Sequence, residues 1–182
     1  PNKLSQLGPG IACADINGDG VDDFYVGGAK DQPGRLVLSE TGSYRVETPK
    51  LFQTHGVCED MGALFFDADS DGDLDLFVVS GGVEYAAGHG LYRDRLYLNT
   101  SGRFSIAKSD QMPIAFHSGS VVSAADFDRD GDLDLFVGGR VVPGQYPTSP
   151  VSQLLRNEGG RFVDVIDDVA PTLKQAGMVT SA

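Results

Sequence analysis

FDADSDGDLDLFV, residues 66–78, sets five aspartates at alternate positions and then runs directly into Leu76-Phe77-Val78. Carboxylates that close repel one another, and a simple turn has no use for five of them. The stretch recurs as ADFDRDGDLDLFV at 125–137 and, in milder form, as ADINGDGVDDFYV at 14–26. Placing Asp15, Asp67 and Asp126 on top of one another gives spacings of 52 and 59 residues, and the surrounding residues then align without gaps. A short apolar run precedes each anchor: 10–14, 62–66 and 121–125. A second follows each acidic loop: 24–28, 76–80 and 135–139.

Further along each unit comes a third run and a tight turn, in RLVLSETGSY (35–44), RLYLNTSGRF (95–104) and QLLRNEGGRF (153–162). Thr41-Gly42, Ser101-Gly102 and Gly159-Gly160 sit where a hairpin needs residues tolerant of positive φ. A fourth strand then opens at Tyr44, Phe104 or Phe162. The runs are short and rich in β-branched and aromatic residues, so each unit reads as four strands, A to D, joined as a meander.

The expected fold is therefore all-β: three β-propeller blades of four antiparallel strands plus the first strand of a fourth. The units fall at about 1–48, 49–112 and 113–170, with 171–182 beginning the next. Pro49-Lys50-Leu51, Pro113-Ile114-Ala115 and Pro171-Thr172-Leu173 read as matching linkers, and 1–4 resembles them. GMVTSA (177–182) reads as a strand A cut just short of another acidic loop. A ring of about 4–8 blades is needed for closure, so the expectation is that further blades follow or that another copy supplies them. A β-solenoid is the competing architecture, but its coils are shorter and parallel.

The bulk composition fits that reading. The 182 residues are 41% hydrophobic with a net charge of −12, which suits a globular chain with a core of its own. An acidic chain does not suit nucleic acid, which needs clustered Lys and Arg. No apolar run approaches the ~18–20 residues of a membrane-spanning helix. The windows 15–23, 67–75 and 126–134 hold 14 of the 26 acidic residues, and charge so focused points to a cation. Cys13 and Cys58 permit one disulfide at most and lack the spacing of a CxxC site.

Numbered from its first aspartate, each loop reads D-x-[DN]-x-D-G-x-x-D. Oxygen-bearing side chains at positions 1, 3 and 5 curl around a point, and glycine at 6 lets the carbonyl at 7 face inward. Calcium takes six to eight hard oxygen ligands in a flexible arrangement, whereas magnesium demands a stricter octahedron. The candidate ligand sets are Asp15, Asn17, Asp19, the Val21 carbonyl and Asp23; Asp67, Asp69, Asp71, the Asp73 carbonyl and Asp75; and Asp126, Asp128, Asp130, the Asp132 carbonyl and Asp134. About three Ca²⁺ are expected, one per loop. An EF-hand would need glutamate at position 12 and flanking helices, but Val26, Val78 and Val137 stand there within strands. One such turn alone reads as a solvated acidic loop; three in phase, each with glycine at position 6, read as metal sites.

These residues resemble the FG-GAP and VCBS repeats of integrin α-subunit propellers and many bacterial surface proteins, over essentially the whole chain. GGRVVPGQYP (138–147), LLRNEGGRFVDV (154–165) and the Ala170-Pro171 to Thr180 stretch further resemble the bacterial ASPIC/UnbV group, which is similar to cartilage acidic protein. The resemblance implies a propeller of about seven blades, calcium held between strands A and B, and an extracellular or cell-surface place, secreted or outer-membrane associated. The FG-GAP motif itself is degenerate here, and no Arg-Gly-Asp sequence occurs, so integrin-style recognition does not carry over.

The connections 80–94 and 139–152 are insertions carrying Tyr85, His89, Tyr92, Arg93, Arg140 and Tyr146. Loops on a rigid scaffold are where binding concentrates, and this composition suits a carbohydrate or protein ligand as well as plain loop packing. His55, His89 and His117 occupy unrelated positions in the repeat, and no catalytic triad, phosphate loop or zinc pattern is present. The functional expectation is a binding or adhesion segment with structural calcium and no assigned catalytic residue. The alternatives are a polysaccharide-acting enzyme on the same scaffold and a purely architectural segment.

Overall fold

The computed structural model describes residues 9–181. Its twelve strands form three four-stranded antiparallel sheets, each a meander in chain order. The first contains β1 (Ile11–Ala14), β2 (Asp23–Val26), β3 (Arg35–Glu40) and β4 (Ser43–Glu47). The second contains β5 (Asp60–Phe66), β6 (Asp75–Ser80), β7 (Arg95–Thr100) and β8 (Arg103–Ile106). The third contains β9 (Ser118–Ala125), β10 (Asp134–Val141), β11 (Gln153–Asn157) and β12 (Phe162–Asp164). The sheets stand side by side as propeller-like blades in an open arc rather than a closed ring.

The middle blade explains why its strands read as continuous apolar runs. Successive side chains of a strand point to opposite faces. On β6, Leu76 and Val78 enter a core shared with the first blade, alongside Ala12, Tyr25, Leu36 and Tyr97. Phe77 and Val79 enter the opposite core, with Leu135, Val137, Leu155 and Phe162 of the third blade. Both faces are covered, so all six β6 residues are buried. The first blade has a neighbour on one side only, and its other face leaves Ile11, Phe24, Val46 and Tyr44 exposed, the last at 73%.

The innermost strands approach backbone to backbone. A Cβ on Gly10 would lie 2.6 Å from the Gly62 carbonyl carbon, and one on Gly62 would lie 2.8 Å from the Ser120 oxygen. Glycine is therefore required where β5 passes its neighbours. The hairpin turns are as expected at 101–102, where Ser101 and Gly102 both have positive φ. In the third blade Gly159 and Gly160 also have positive φ but lie within a longer 158–161 connection.

The linker after the first blade contains a short helix, α1 (Lys50–Thr54). It drives Phe52 between the first two blades, edge-on to Tyr25 and Tyr97 at ring separations of 5.6 and 4.9 Å. The described part of the supposed fourth-unit strand, 177–181, carries no strand assignment. It does lie along the third blade, where the Val179 N–H donates to the Gly139 carbonyl at 3.0 Å and the Ser120 hydroxyl to the Val179 carbonyl at 2.6 Å. Residues 1–4 and Ala182 lie outside the described residues. Cys13 is exposed on β1, Cys58 is buried after α1, and both are free thiols.

Candidate metal centres

All three acidic loops fold by the same local bonds. In the first, Gly18 and Asp19 N–H groups donate to Asp15 Oδ1, Gly20 N–H donates to Asp15 Oδ2, and Val21 N–H donates to Asp19 Oδ1. The second repeats the pattern from Asp71 and Gly72 to Asp67 and from Asp73 to Asp71; the third repeats it from Asp130 and Gly131 to Asp126 and from Asp132 to Asp130. Position 6 has positive φ in every copy, at 86°, 91° and 102°, as its glycine suggested. Position 4 does too, through Gly18, Ser70 and Arg129, a requirement the sequence alone did not display.

These bonds aim carboxylates at one another. Asp67, Asp69 and Asp71 bring one oxygen each to within 4.8 Å of the others, and so do Asp126, Asp128 and Asp130. Asn17 takes the middle place in the first loop, where its Oδ1 accepts from Asp19 N–H at 2.9 Å. Burial, then the charges of Asp71 and Asp67, push the Asp69 carboxyl above its ordinary value. Burial, then Asp130 and Asp134, do the same to Asp128. Asp69 Oδ1 is also buried with no hydrogen-bond partner. Hard oxygens held together, one of them without a donor, fit a cation that would satisfy the orphaned atom and remove the repulsion.

The ninth-position aspartates sit beside the triads rather than within them. Asp23, Asp75 and Asp134 are essentially fully buried. Asp75 accepts from Ala68 N–H at 2.8 Å and from Asn99 N–H at 2.7 Å. Asp134 accepts from Phe127 and Asn157 N–H groups at 3.0 and 2.8 Å. Asp23 takes only Ser39 N–H, at 2.7 Å, and leaves Oδ2 buried without a partner. Burial pushes the Asp75 carboxyl up to about 6 against the pull of its two N–H donors. These residues lace the acidic loop to the end of strand C, and each carboxylate oxygen keeps a second lone pair. The seventh-position side chains do similar work: Asp73 Oδ2 accepts from Ser101 N–H and Asp132 Oδ2 from Gly159 N–H, at 2.7 and 3.1 Å.

A further pair escaped the sequence reading. Asn99 donates through its side-chain amide to the Ile16 carbonyl in the first blade's loop at 3.3 Å and to Leu74 in its own at 3.1 Å. Its Oδ1 accepts from Gly102 N–H at 2.9 Å. Asn157 does the same to Ala68 of the second blade's loop, to Leu133, and from Gly160 N–H. Each asparagine thus joins its own loop and turn to the preceding blade. The signal was present, because both stand at the same place in RLYLNTSG and QLLRNEGG; Ser39 in the first copy broke the column.

FG-GAP-like repeats match residues 15–78 and again 67–137, together more than half of the chain. The chain belongs to the FG-GAP-like repeat family. Each match starts at the first aspartate of one acidic loop and ends inside the strand that follows the next, so an FG-GAP-like repeat is framed here by two candidate metal loops. No match is found among curated proteins.

At the other end of the strands the insertion 80–94 is largely self-packed. Tyr92 is buried and its hydroxyl donates to the Tyr85 carbonyl at 2.8 Å, while Tyr85 stacks on His89 at 4.4 Å. In the other insertion Tyr146 is exposed. His55 is half-buried, with Nδ1 2.9 Å from the Tyr97 hydroxyl. Among the described residues no helix is long and apolar enough to cross a membrane.

Proposed function

We propose that the chain is a calcium-binding segment of an extracellular or cell-surface β-propeller protein, of the bacterial ASPIC/UnbV type, in which calcium is structural and the scaffold serves binding or adhesion. The observation that carries the metal part is the pair of converging aspartate triads in matched loops, with the unpartnered Asp69 oxygen in one of them. Asp15, Asn17, Asp19, Asp23 and the Val21 carbonyl, with the equivalent sets at 67–75 and 126–134, are the proposed ligands. Calcium is the natural choice for all-oxygen sets with several carboxylates and a flexible loop. Three divalent ions would halve the net charge of −12.

Metal bound only by the folded chain stabilises it by mass action, by about 2.7 kcal/mol per site at a hundredfold excess over Kd. Chelation should therefore lower the melting temperature by several degrees and added calcium should restore it. Calorimetry should count close to three ions. A melting curve indifferent to both chelator and calcium would sink the metal reading. The surface location and the resemblance to bacterial proteins rest on the likeness of 138–147 and 154–165 to that group, and the gene's neighbouring segments would test them.

A further inference from the structure

The end of the second blade opposite the acidic loops carries a cavity of ≈280 Å³. Three segments line it: the linker after the first blade (His55 and Cys58), residues 90–96 leading into β7, and residues 106–112 after β8. The volume lies near the lower limit of sites that take small molecules.

Its walls differ in chemistry. Leu91, Leu96, Ile106, Ala107 and Met112 make an apolar side. Arg95 lines it too, but its charge is matched by a buried ion pair with Asp60. Arg93 and Lys108 are different: both line the cavity, and neither enters any ion pair formed among the described residues. Acidic residues outnumber basic ones 26 to 14 in this chain, so two unmatched cations at one cavity are a local reversal of its charge.

The remaining polar groups do not undo that reversal. Asp94 Oδ1 accepts from Ser80 N–H at 2.8 Å, and burial pushes its carboxyl up to about 7, so below neutral pH it offers a donor rather than an anion. Burial raises the Cys58 thiol and lowers His55, leaving both neutral, which suits binding and not nucleophilic attack.

We infer that this cavity binds a small organic oxyanion of about sugar size, with Arg93 and Lys108 pairing its carboxylate or phosphate and Leu96, Ile106 and Met112 packing its carbon frame. The inference rests on the binding role proposed above and names the ligand class for it. Charge-assisted bonds to guanidinium and ammonium are among the stronger polar contacts, and a carbon frame against the apolar wall adds size selection.

The test is titration calorimetry of the full chain in calcium with four probes: D-glucuronate, D-glucose 6-phosphate, D-glucose and inorganic phosphate. Glucuronate or glucose 6-phosphate should bind with a Kd of about 1 mM or tighter, and glucose about tenfold more weakly or not at all. Arg93→Ala and Lys108→Ala should each weaken the anion by about tenfold with the melting temperature unchanged. The preference between the first two probes tells carboxylate from phosphate. Absence of binding by both, equal binding of glucose, or binding undiminished in the two variants overturns the inference. Inorganic phosphate binding as tightly as glucose 6-phosphate overturns the packing of the carbon frame. Melting with and without chelator on the same samples keeps the metal reading separate: calcium-dependent stability with no anion binding refutes the cavity assignment alone.

Discussion

The two ends of the blades are built on opposite plans. At one end, three loops share aspartate at positions 1, 5 and 9 and glycine at 6, and make the same N–H bonds to the first aspartate, so the geometry of one copy is nearly the geometry of all. At the other end the strongest contact belongs to one pair of blades. Asp60 is buried there against Arg95, the Tyr25 hydroxyl and the Gly28 N–H, and it has no counterpart in the third blade. The difference teaches that blade docking in this chain is uniform where carboxylates gather and individual where the connections vary.

Breaking the individual end should have the largest effect. Arg95→Met would leave the Asp60 carboxylate buried without its counter-charge, which costs about 3–5 kcal/mol. Denaturant melts should show that loss, and Asp60→Asn in the same chain should recover much of it. A single variant as stable as the parent would mean that the first two blades are held together by their apolar core alone.

The uniform end is probed by removing a stitch. Asn99→Ala leaves the Ile16 and Leu74 carbonyls and the Gly102 N–H without their side-chain partner and should cost about 1–3 kcal/mol. Asn157→Ala should cost a similar amount, because it makes the equivalent bonds. Clearly unequal losses in urea melts would contradict the uniformity drawn above.

The smallest effect concerns pH at the cavity. The folded-state pKa of Asp94 is raised to about 7 by burial, against Ser80 N–H and Arg95, which lower it. An acid raised on folding holds its proton more tightly in the folded chain, so its contribution to stability is lost as pH climbs from about 4 through 7. Asp94→Asn removes that slope and should stabilise the chain by about 1–2 kcal/mol at pH 8, allowing for partial solvent access, with little gain near pH 4. Glu59, raised to about 7 by burial and by Glu84, keeps a slope of the same sign in the variant. Equal gains at both pH values would rule out the raised carboxyl as their cause.

Legibility followed the same division. The acidic loops could be read because aspartates at alternate positions with glycine at position 6 recur in phase, and that pattern folds into the same turn in all three copies. The blades could be read because β6 and β10 run apolar between turn signals. The buried ion pair could not. Arg35, Arg95 and Gln153 share one column of the repeat, yet Arg35 is exposed and Arg95 buried, since only Arg95 finds Asp60. The cavity was equally hidden, because residues 55–58, 90–96 and 106–112 meet only after the blades dock. Helix α1 escaped for a related reason: PKLFQT is too short to show a helical period, and its shape is set by Phe52 seeking the Tyr25–Tyr97 gap.

The asparagine stitches also give the arc a direction. Asn99 reaches back to the Ile16 carbonyl and Asn157 back to that of Ala68, so the later blade always clasps the earlier. Ile16 and Ala68 are accordingly 6% and 0% exposed, while Phe127, at the same place in the third loop, is 36% exposed. A chain that emerges from the ribosome in sequence would thus finish the first two acidic loops one blade late, when the following asparagine arrives. Each of those two loops is opened by its own blade and locked by the next.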